Sequence, residues 1–474
     1  LLVISNTFTY ALCRRRLYKC TGVKIRILTD VILPLAAVIP SGLGARWALS
    51  AFGFANRTAE CILGSSVYLG CFGILLVIFA FVMVVVAGKL PIYAAMAAGT
   101  VMAWLLYAIP VGEGLSAILR ACSSWDTISL IVVVYIITVL QNMMIQRNAI
   151  ERARAGLSSL FNHRWVNCAV APIFIGMLPT PNAAFIAGDI VKASAGDYLD
   201  DQQQAVVTTY FRHVSESFMP TYNSILTALV LSGVAAGEFV PAMLPVVAVI
   251  IASGCFWFLR GKVPTATGEE PSKNKMGDLR EIFTGLWAIL AIIVLVVAAR
   301  MEVYAAGLLV TLAYMLIHRF PVSRLRALLL QSFQWRLYLN TIGIMIFKEF
   351  LSVSGAINGL TASISALPLP SWLVFVLTFF FGGIVSGSTA MIVLCLPVAM
   401  ATVPGAGLPL LVLLMGTVYA AMQVSPTHIC LSLTADYFGI PLGTLFRKTL
   451  PAVLTTVGFT VLYYLALTHF FNFT

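Results

Sequence analysis

The chain has 474 residues, of which 60% are hydrophobic and only 10% are charged, and its formal net charge is +11. Soluble globular proteins average roughly 25% charged residues, so this composition excludes a soluble globular protein and indicates an integral membrane protein with lipid as its main partner. The basic residues stand in short loops between apolar runs. That pattern is typical of membrane proteins and does not indicate nucleic-acid binding.

The nine cysteines form no CxxC pair, and most of them lie inside apolar runs. A free cysteine in such a run behaves as a small hydrophobic residue, so we expect no disulfide framework and no metal site. The sequence also lacks a cofactor motif, so we expect no cofactor. A phosphate-cradling GxxxxGK[ST] sequence is also missing, which argues against ATP as an energy source within this chain.

Residues 1–66 hold a basic stretch, Leu1–Arg26, followed by a weak apolar segment, Leu28–Leu49. We expect a cytoplasmic tail and then a first, weak transmembrane span. A cleaved signal peptide fits less well, because no clear small-residue cleavage site follows the basic stretch.

Residues 67–259 form the first of two related segments. Four apolar runs in it are long enough to cross a membrane as helices: Val67–Ala87, Leu90–Ile109, Thr127–Ile145 and Phe239–Leu259. Two further apolar stretches are interrupted. Residues 165–195 hold prolines near their centre, and residues 205–234 break at Pro220.

Residues 260–280 are rich in Pro, Gly, Lys and Glu, so we expect a flexible cytoplasmic linker. Residues 281–474 then repeat the pattern, with the apolar runs Ile282–Ala299, Tyr304–Ile317, Leu337–Val353 and Pro451–Phe470. The interrupted stretches of this second segment are residues 372–403, with glycines near the centre, and residues 410–439, which break at Pro426.

The interrupted stretches decide the expected fold. Proline removes a backbone donor and glycine lets the chain turn, and such breaks are tolerated inside a membrane only where protein or water covers them. We therefore interpret residues 165–195 and 372–403 as re-entrant hairpins, with ordinary kinked spans as the alternative, and residues 205–234 and 410–439 as broken helices. The predicted fold is an all-α membrane protein with about 11 transmembrane helices and two hairpins.

Loop charges predict the orientation. The segments Arg147–Arg164, 260–280 and Arg319–Arg336 are rich in Lys and Arg, and Arg447 with Lys448 adds a fourth basic loop, whereas the alternate connections hold few. We therefore expect these four loops and the N-terminus inside and the C-terminus outside.

Two short matches relate the halves at nearly the same offset. Gly176–Ala183 aligns with Gly383–Ala390, and Pro220 aligns with Pro426. An odd number of predicted spans separates equivalent points, so the second copy should be inverted relative to the first. Inverted repeats with broken helices are a signature of secondary transporters.

Four motifs carry a resemblance to a known group: Met177–Pro181, Tyr210–His213, Gly343–Lys348 and Ser425–Leu431. At these motifs the sequence resembles an uncharacterised family of prokaryotic integral membrane proteins in the ion transporter superfamily. The better-known relatives of that family are the citrate and C4-dicarboxylate carriers and the gluconate permeases. The resemblance runs from Val67 to the C-terminus.

The resemblance implies an elevator-type transporter of the cytoplasmic (inner) membrane. A scaffold domain would form a homodimer, and a transport domain would carry both hairpins and both broken helices. The tips, Pro179–Asn182 and Ser386–Thr389, differ from the Ser-Asn-Thr that sodium-coupled dicarboxylate carriers place there. Both H+ and Na+ are therefore open as the coupling ion. We expect the dimer contact along Leu90–Ile109 and Tyr304–Ile317.

Polar residues at the tips and breaks form the predicted substrate-binding set, because their hydroxyl and amide groups can contact a solute. They are Thr180, Asn182, Asn223, Ser386, Ser388, Thr389 and Thr427. The alternative is that these residues only cap short half-helices.

Ionisable groups at membrane depth are costly and usually functional, so a second set is predicted for ion coupling. It comprises Arg212, His213, Glu216, Ser425 and His428. We expect Arg212, His213 and Glu216 to share one helical turn, in which Arg212 and Glu216 can pair. The alternatives are a structural ion pair and a histidine held by ordinary hydrogen bonds.

These features predict a secondary active transporter that moves a small anionic, carboxylate-like solute by an elevator mechanism. An ion channel is the first alternative. A membrane-embedded enzyme is the second, although no GxSxG, HExxH or paired-acid motif supplies a catalytic group.

Overall fold

The structure is a computed structural model that describes residues 74–75, 77–86, 90–149, 152–153, 156, 163–177, 183–266, 274–354 and 369–469. The predicted basic tail and the weak span Leu28–Leu49 lie outside the described residues. So do residues 178–182, which include the predicted first hairpin tip, Pro179–Asn182.

The described residues form helices, with one isolated β-bridge between His163 and Ala266. The first series is α1 Val77–Val86, α2 Ile92–Leu106, α3 Val111–Ser123, α4 Trp125–Gln146, α5 Arg164–Gly176, α6 Ala183–Ala195, α7 Asp201–Arg212, α8 Asn223–Ser232 and α9 Ala236–Gly254. The second series is α10 Lys275–Val297, α11 Val303–Ile317, α12 Val322–Gln331, α13 Trp335–Val353, α14 Ser371–Ser386, α15 Ser388–Thr402, α16 Leu408–Met422, α17 Ile429–Tyr437 and α18 Leu442–His469.

Within the described part of the chain, 4 helices are long and apolar enough to cross a membrane. They are Trp125–Gln146, Ala236–Leu259, Lys275–Val297 and Leu442–His469. The prediction of an all-α protein with apolar spans is confirmed at this level. The total of about 11 spans and the division into scaffold and transport domains stay predictions.

Two short helices, α3 and α12, occupy segments predicted to be loops between spans. Each begins directly after a proline, Pro110 or Pro321, which suits the first turn of a helix. Along α3, Val111, Leu115 and Leu119 form an exposed apolar stripe. Neither helix is long enough to span a membrane, so a search for long apolar runs does not find them.

The two series contain corresponding helices in the same order, and the packing between them is reciprocal. Helix α2 of the first series packs on α13 of the second, while α11 of the second packs on α4 of the first. Similarly, α8 packs on α15 and α17 packs on α6. In chain order, α2 corresponds to α11 and α4 corresponds to α13. The contact of α2 with α13 is therefore equivalent to the contact of α11 with α4.

Both predicted broken helices are interrupted. Helix α7 ends at Arg212 and is followed by a 3-10 turn, Val214–Ser217, before α8 begins. Helix α16 ends at Met422 and α17 begins at Ile429. Helix α16 is buried on all sides, as expected for a helix that is apolar all round and lies inside the protein.

One detail of the prediction is wrong. Arg212, His213 and Glu216 do not share a turn of a continuing α-helix, because the α-helix ends at Arg212 and Glu216 lies in the 3-10 turn. The amide of Glu216 donates to the carbonyl of His213, three residues earlier, at 2.9 Å. Such tighter turns are frequent at the ends of α-helices.

The second hairpin turns at one glycine. Helices α14 and α15 pack against each other and are joined by Gly387, whose φ is +84° and ψ 163°. Residues other than glycine are strained in that conformation, which explains why the turn is at this position. Helices α5 and α6 pack against each other as the arms of the first hairpin.

Candidate functional site

The two helix breaks meet at a pair of histidines. His213 follows the last residue of α7, and His428 precedes the first residue of α17. Their Nε2 atoms lie 3.0 Å apart, and the rings are edge-to-face with centroids 4.8 Å apart. The helix break of the first series is therefore in direct contact with the helix break of the second series.

Hydrogen bonds determine the tautomer of His213. Its Nδ1 lies 2.5 Å from the carbonyl oxygen of Thr209, which can only accept, so Nδ1 carries the proton. The Nε2 atom is then the acceptor. It accepts the Nη1–H of Arg212 at 2.7 Å, and Nε2 of His428 lies 3.0 Å from it.

Arg212 is the largest fully buried side chain of this region, with 2% of its surface exposed. Its Nη1 lies 3.5 Å from Oε1 of Glu216, so the two form an ion pair within the first break. A buried charge without a partner costs several kcal/mol, and the pair with Glu216 offsets that cost. The predicted pairing of Arg212 with Glu216 is present.

The tip of the second hairpin packs on the second break. Ser425 donates to the carbonyl of Ile384 in α14 at 2.8 Å, and its hydroxyl also lies 2.8 Å from that of Thr427. A Cβ added at Gly387 would stand 3.3 Å from Oγ1 of Thr427. Ser386 donates to the carbonyl of Gly382, one turn earlier in its own helix.

The first hairpin is attached to the first break in a similar way. The hydroxyl of Tyr222 donates to the carbonyl of Gly176, the last residue of α5. Ser215 donates to the carbonyl of Ile173 at 3.0 Å. Gly176 packs so closely that an added Cβ would lie 1.9 Å from the carbonyl oxygen of Arg212.

A small cavity joins the first break to the tip of the second hairpin. Glu216 and Ser224 line it from the first series, and Ser388 lines it from the first turn of α15. Its remaining walls are apolar and include Met415 and Met422. The cavity holds about one water molecule, so this conformation of the site is closed to larger solutes.

Polar atoms near the first break have no hydrogen-bond partner. Oγ1 of Thr221 and Oδ1 of Asn223 are both buried in this state. Buried polar atoms are normally paired, so these two are candidates for contact with water or with a bound solute. Thr221 also lines a second small cavity, together with Gln141 and Met177.

Three helices begin at this region. The first residues of α8 and α15 stand at or beside the cavity, and α17 begins directly after His428. The amide groups in the first turn of a helix have no partner within it, and the helix dipole places partial positive charge there. The arrangement therefore favours a negatively charged group.

The structure thus brings most of the predicted site residues into one region. Arg212, Glu216 and His428 each lie within 3.9 Å of His213, and Ser425 contacts Thr427. Ser388 shares a cavity with Glu216. Asn223 begins α8 beside that cavity, and Thr389 follows Ser388. Ser386 lies at the hairpin tip but bonds within its own helix. Thr180 and Asn182 lie outside the described residues.

Other residues of the region were not predicted. Tyr222 fastens the first hairpin, and Tyr419 lines the cavity. Cys430 lies beside the two histidines. The sequence signal for Cys430 is its place two residues after His428 in the motif Ser425–Leu431.

Comparison with known proteins identifies the family of the chain. No curated protein matches it. A family model with the description "Protein of unknown function (DUF401)" matches residues 71–467, a range that begins close to the start of the predicted resemblance at Val67 and includes both helix breaks. Because that range covers most of the chain, the protein belongs to this family of unknown function.

Proposed function

We propose that the protein is a secondary active transporter that moves a small anionic, carboxylate-like solute across the inner membrane of a prokaryote by an elevator mechanism. The observation that carries the proposal is the contact of the two helix breaks at His213 and His428, beside a cavity that Glu216 shares with Ser388. In secondary transporters, broken helices of two repeats meet at the substrate site near the middle of the bilayer.

The charges around the cavity support an anion as the solute. Arg212 and Glu216 pair with each other and neutralise their own charges. The N-termini of α8 and α15 then determine the sign of the local potential, which is positive. The hydroxyl of Ser388 and the unpartnered Asn223 Oδ1 provide further polar groups for the solute or its water.

The equivalent order of the two series supports an inverted repeat. Reciprocal packing of α2 on α13 and of α11 on α4 is what a pseudo-two-fold relation produces. Such a repeat can open to one side or the other when its halves exchange conformations. We propose α2, α4, α11 and α13 as the scaffold that forms the homodimer. The helices α5–α8 and α14–α17 then form the mobile transport domain.

The coupling ion in this proposal is H+ or Na+, and the candidates that hold or pass it are the residues of the two breaks. Kinship with the ion transporter superfamily is part of the proposal and rests on the motifs quoted above. The tight cluster of Arg212, His213, Glu216 and His428 supports a coupling role, because four ionisable groups at one buried point are costly without a function.

A binding screen followed by a flux assay tests the function. Purified protein would be melted with a panel of carboxylates, phosphonates, sulfonates and sugar acids, and we expect a carboxylate to raise the unfolding temperature. In proteoliposomes, an internal load of that carboxylate should then accelerate entry of its labelled form. Flux without such acceleration would indicate a channel, and chemical conversion of the compound would indicate an enzyme. Absence of both binding and flux across the panel would contradict the proposal.

A further inference from the structure

The histidine pair has a third neighbour with a ligand atom. One ring nitrogen of His213, one of His428 and the Sγ atom of Cys430 all lie within 4.8 Å of one another. His213 belongs to the first series, and the other two belong to the second. The cluster therefore spans the junction between the halves.

We propose that His213, His428 and Cys430 form a binding site for one divalent transition-metal ion of the Zn2+ class, which fastens the two helix breaks to each other. Imidazole nitrogen and thiolate sulfur are the ligands that this ion prefers. This proposal goes beyond the transport function and does not depend on it, because the ligands are in place whatever the solute is.

The geometry of the two imidazoles fits a shared metal ion. With metal–nitrogen bonds of about 2.0 Å, two tetrahedral ligands stand about 3.3 Å apart. The two Nε2 atoms here are 3.0 Å apart, so a small rotation of one ring makes room for the ion. In His213, Nδ1 donates to the carbonyl of Thr209 and leaves the Nε2 lone pair directed into the cluster. Metal-ligating histidines usually have such a carbonyl or carboxylate partner on the other nitrogen.

A fourth ligand is within reach. Oε1 of Glu216 lies 3.9 Å from Nε2 of His213, and a modest side-chain movement brings it to the same centre. The ion would release the proton of the Cys430 thiol to the solvent as the metal–sulfur bond forms. The Cys430 thiolate and the Glu216 carboxylate then offset two of the three positive charges that the ion and Arg212 bring to the site, so the occupied site keeps one net positive charge.

Arg212 competes with the metal. Its Nη1 donates to Nε2 of His213 at 2.7 Å, which occupies the lone pair that the ion needs. The guanidinium also hydrogen-bonds the Cys430 thiol, so metal binding requires Arg212 to leave two of the three ligand atoms. His428 and Cys430 are partly exposed, and this side of the cluster gives an ion access to the buried His213.

The test uses the purified full-length protein with any polyhistidine tag removed, and Co2+ as a coloured substitute for Zn2+. We expect one Co2+ per chain, with a near-ultraviolet sulfur-to-metal charge-transfer band and visible bands of a tetrahedral ion, and displacement of the colour by Zn2+. In Cys430→Ala the sulfur band should disappear, and the affinity for Co2+ should fall at least about tenfold. Loss of a residue that only supports a metal ligand already lowers metal affinity about tenfold, so loss of a ligand should do at least as much. His428→Gln should also weaken binding by at least about tenfold.

Matched substitutions provide the controls. Cys395→Ala removes another buried thiol, and His318→Gln removes the histidine that directly follows α11. Both should bind Co2+ as the wild type does. If Cys430→Ala fails to fold, the charge-transfer band of the wild type still reports the sulfur ligand. Absence of saturable Co2+ binding would overturn the site. A spectrum that Cys430→Ala and His428→Gln leave unchanged would show an adventitious ion only and would overturn it as well.

Discussion

The Nε2 atoms of His213 and His428 lie 3.0 Å apart although 215 positions separate the two residues in the chain. One histidine ends the first half of a broken helix, and the other begins the second half of the equivalent broken helix. Any movement that pulls the breaks apart must separate these two rings. The pair is therefore a direct contact between the two halves of the chain.

The close packing of Gly176 predicts a sharp stability difference between two glycine substitutions. In Gly176→Ala the new Cβ would collide with the backbone carbonyl of Arg212, 1.9 Å away. We expect a cost of about 1–3 kcal/mol or more, as for overpacking in a well-packed interior. The measurement is the unfolding temperature of purified protein in detergent.

The control for Gly176 is Gly458→Ala. Gly458 lies inside α18 with nothing within 4 Å of an added Cβ, so alanine should stabilise the helix by up to about 1 kcal/mol. Equal unfolding temperatures for the two variants would show that α5 does not pack on the first break as described.

The cavity predicts that Ser388 contributes to solute binding. Its hydroxyl lines the cavity at the first turn of α15. Ser388→Ala should lose one hydrogen bond of about 1 kcal/mol, which weakens binding of a carboxylate found in the thermal screen roughly fivefold. Isothermal titration measures the change.

Ser123→Ala serves as the comparison for Ser388, since Ser123 is exposed and bonds only within its own helix. The affinity of Ser123→Ala for the carboxylate should equal that of the wild type. An affinity of Ser388→Ala equal to that of Ser123→Ala would remove Ser388 from the binding set.

The predicted orientation requires the two ends of α10 to face opposite sides of the membrane. In a cysteine-free background, a cysteine at Lys262 should react with an impermeant maleimide only in inside-out vesicles. A cysteine at Glu302 should react only in intact cells. Both positions are exposed, so lack of reaction cannot come from burial. Labelling of the two positions from the same side would contradict the orientation.

The homodimer prediction concerns the exposed apolar faces of α2 and α11. Leu105 and Leu312 are 74% and 45% exposed on these helices. A cysteine at either position should form a disulfide-linked dimer under mild oxidation in the membrane. A cysteine at Leu462 on α18, which is 67% exposed, should not. A monomeric particle in mild detergent would contradict the dimer.

Proline and glycine made the interrupted elements predictable. Gly387 turns the second hairpin where the sequence analysis placed its tip, since only glycine adopts that backbone conformation without strain. The interruption near Pro426 follows from its missing backbone donor, since α16 ends at Met422, the residue whose carbonyl that donor would have met.

Other features could not be read from the sequence. Helix α7 ends at Arg212, well before Pro220, because a 3-10 turn continues the chain, and no residue type marks that change. Contact between His213 and His428 depends on tertiary packing over 215 positions, which periodicity does not report. The apolar sequence around Cys430 predicts a small hydrophobic residue, whereas its neighbours in space include two imidazoles.

Access to the cavity from both sides of the membrane tests the transport mechanism most directly, and it needs no knowledge of the solute. In the cysteine-free background, a cysteine replaces Ser388, with the cysteines at Lys262 and Glu302 as markers of each side. The account predicts that an impermeant thiosulfonate modifies position 388 both in inside-out vesicles and in intact cells, because the cavity opens alternately to each face. Modification from one face only, or from neither face while the markers react, would contradict alternating access at this site.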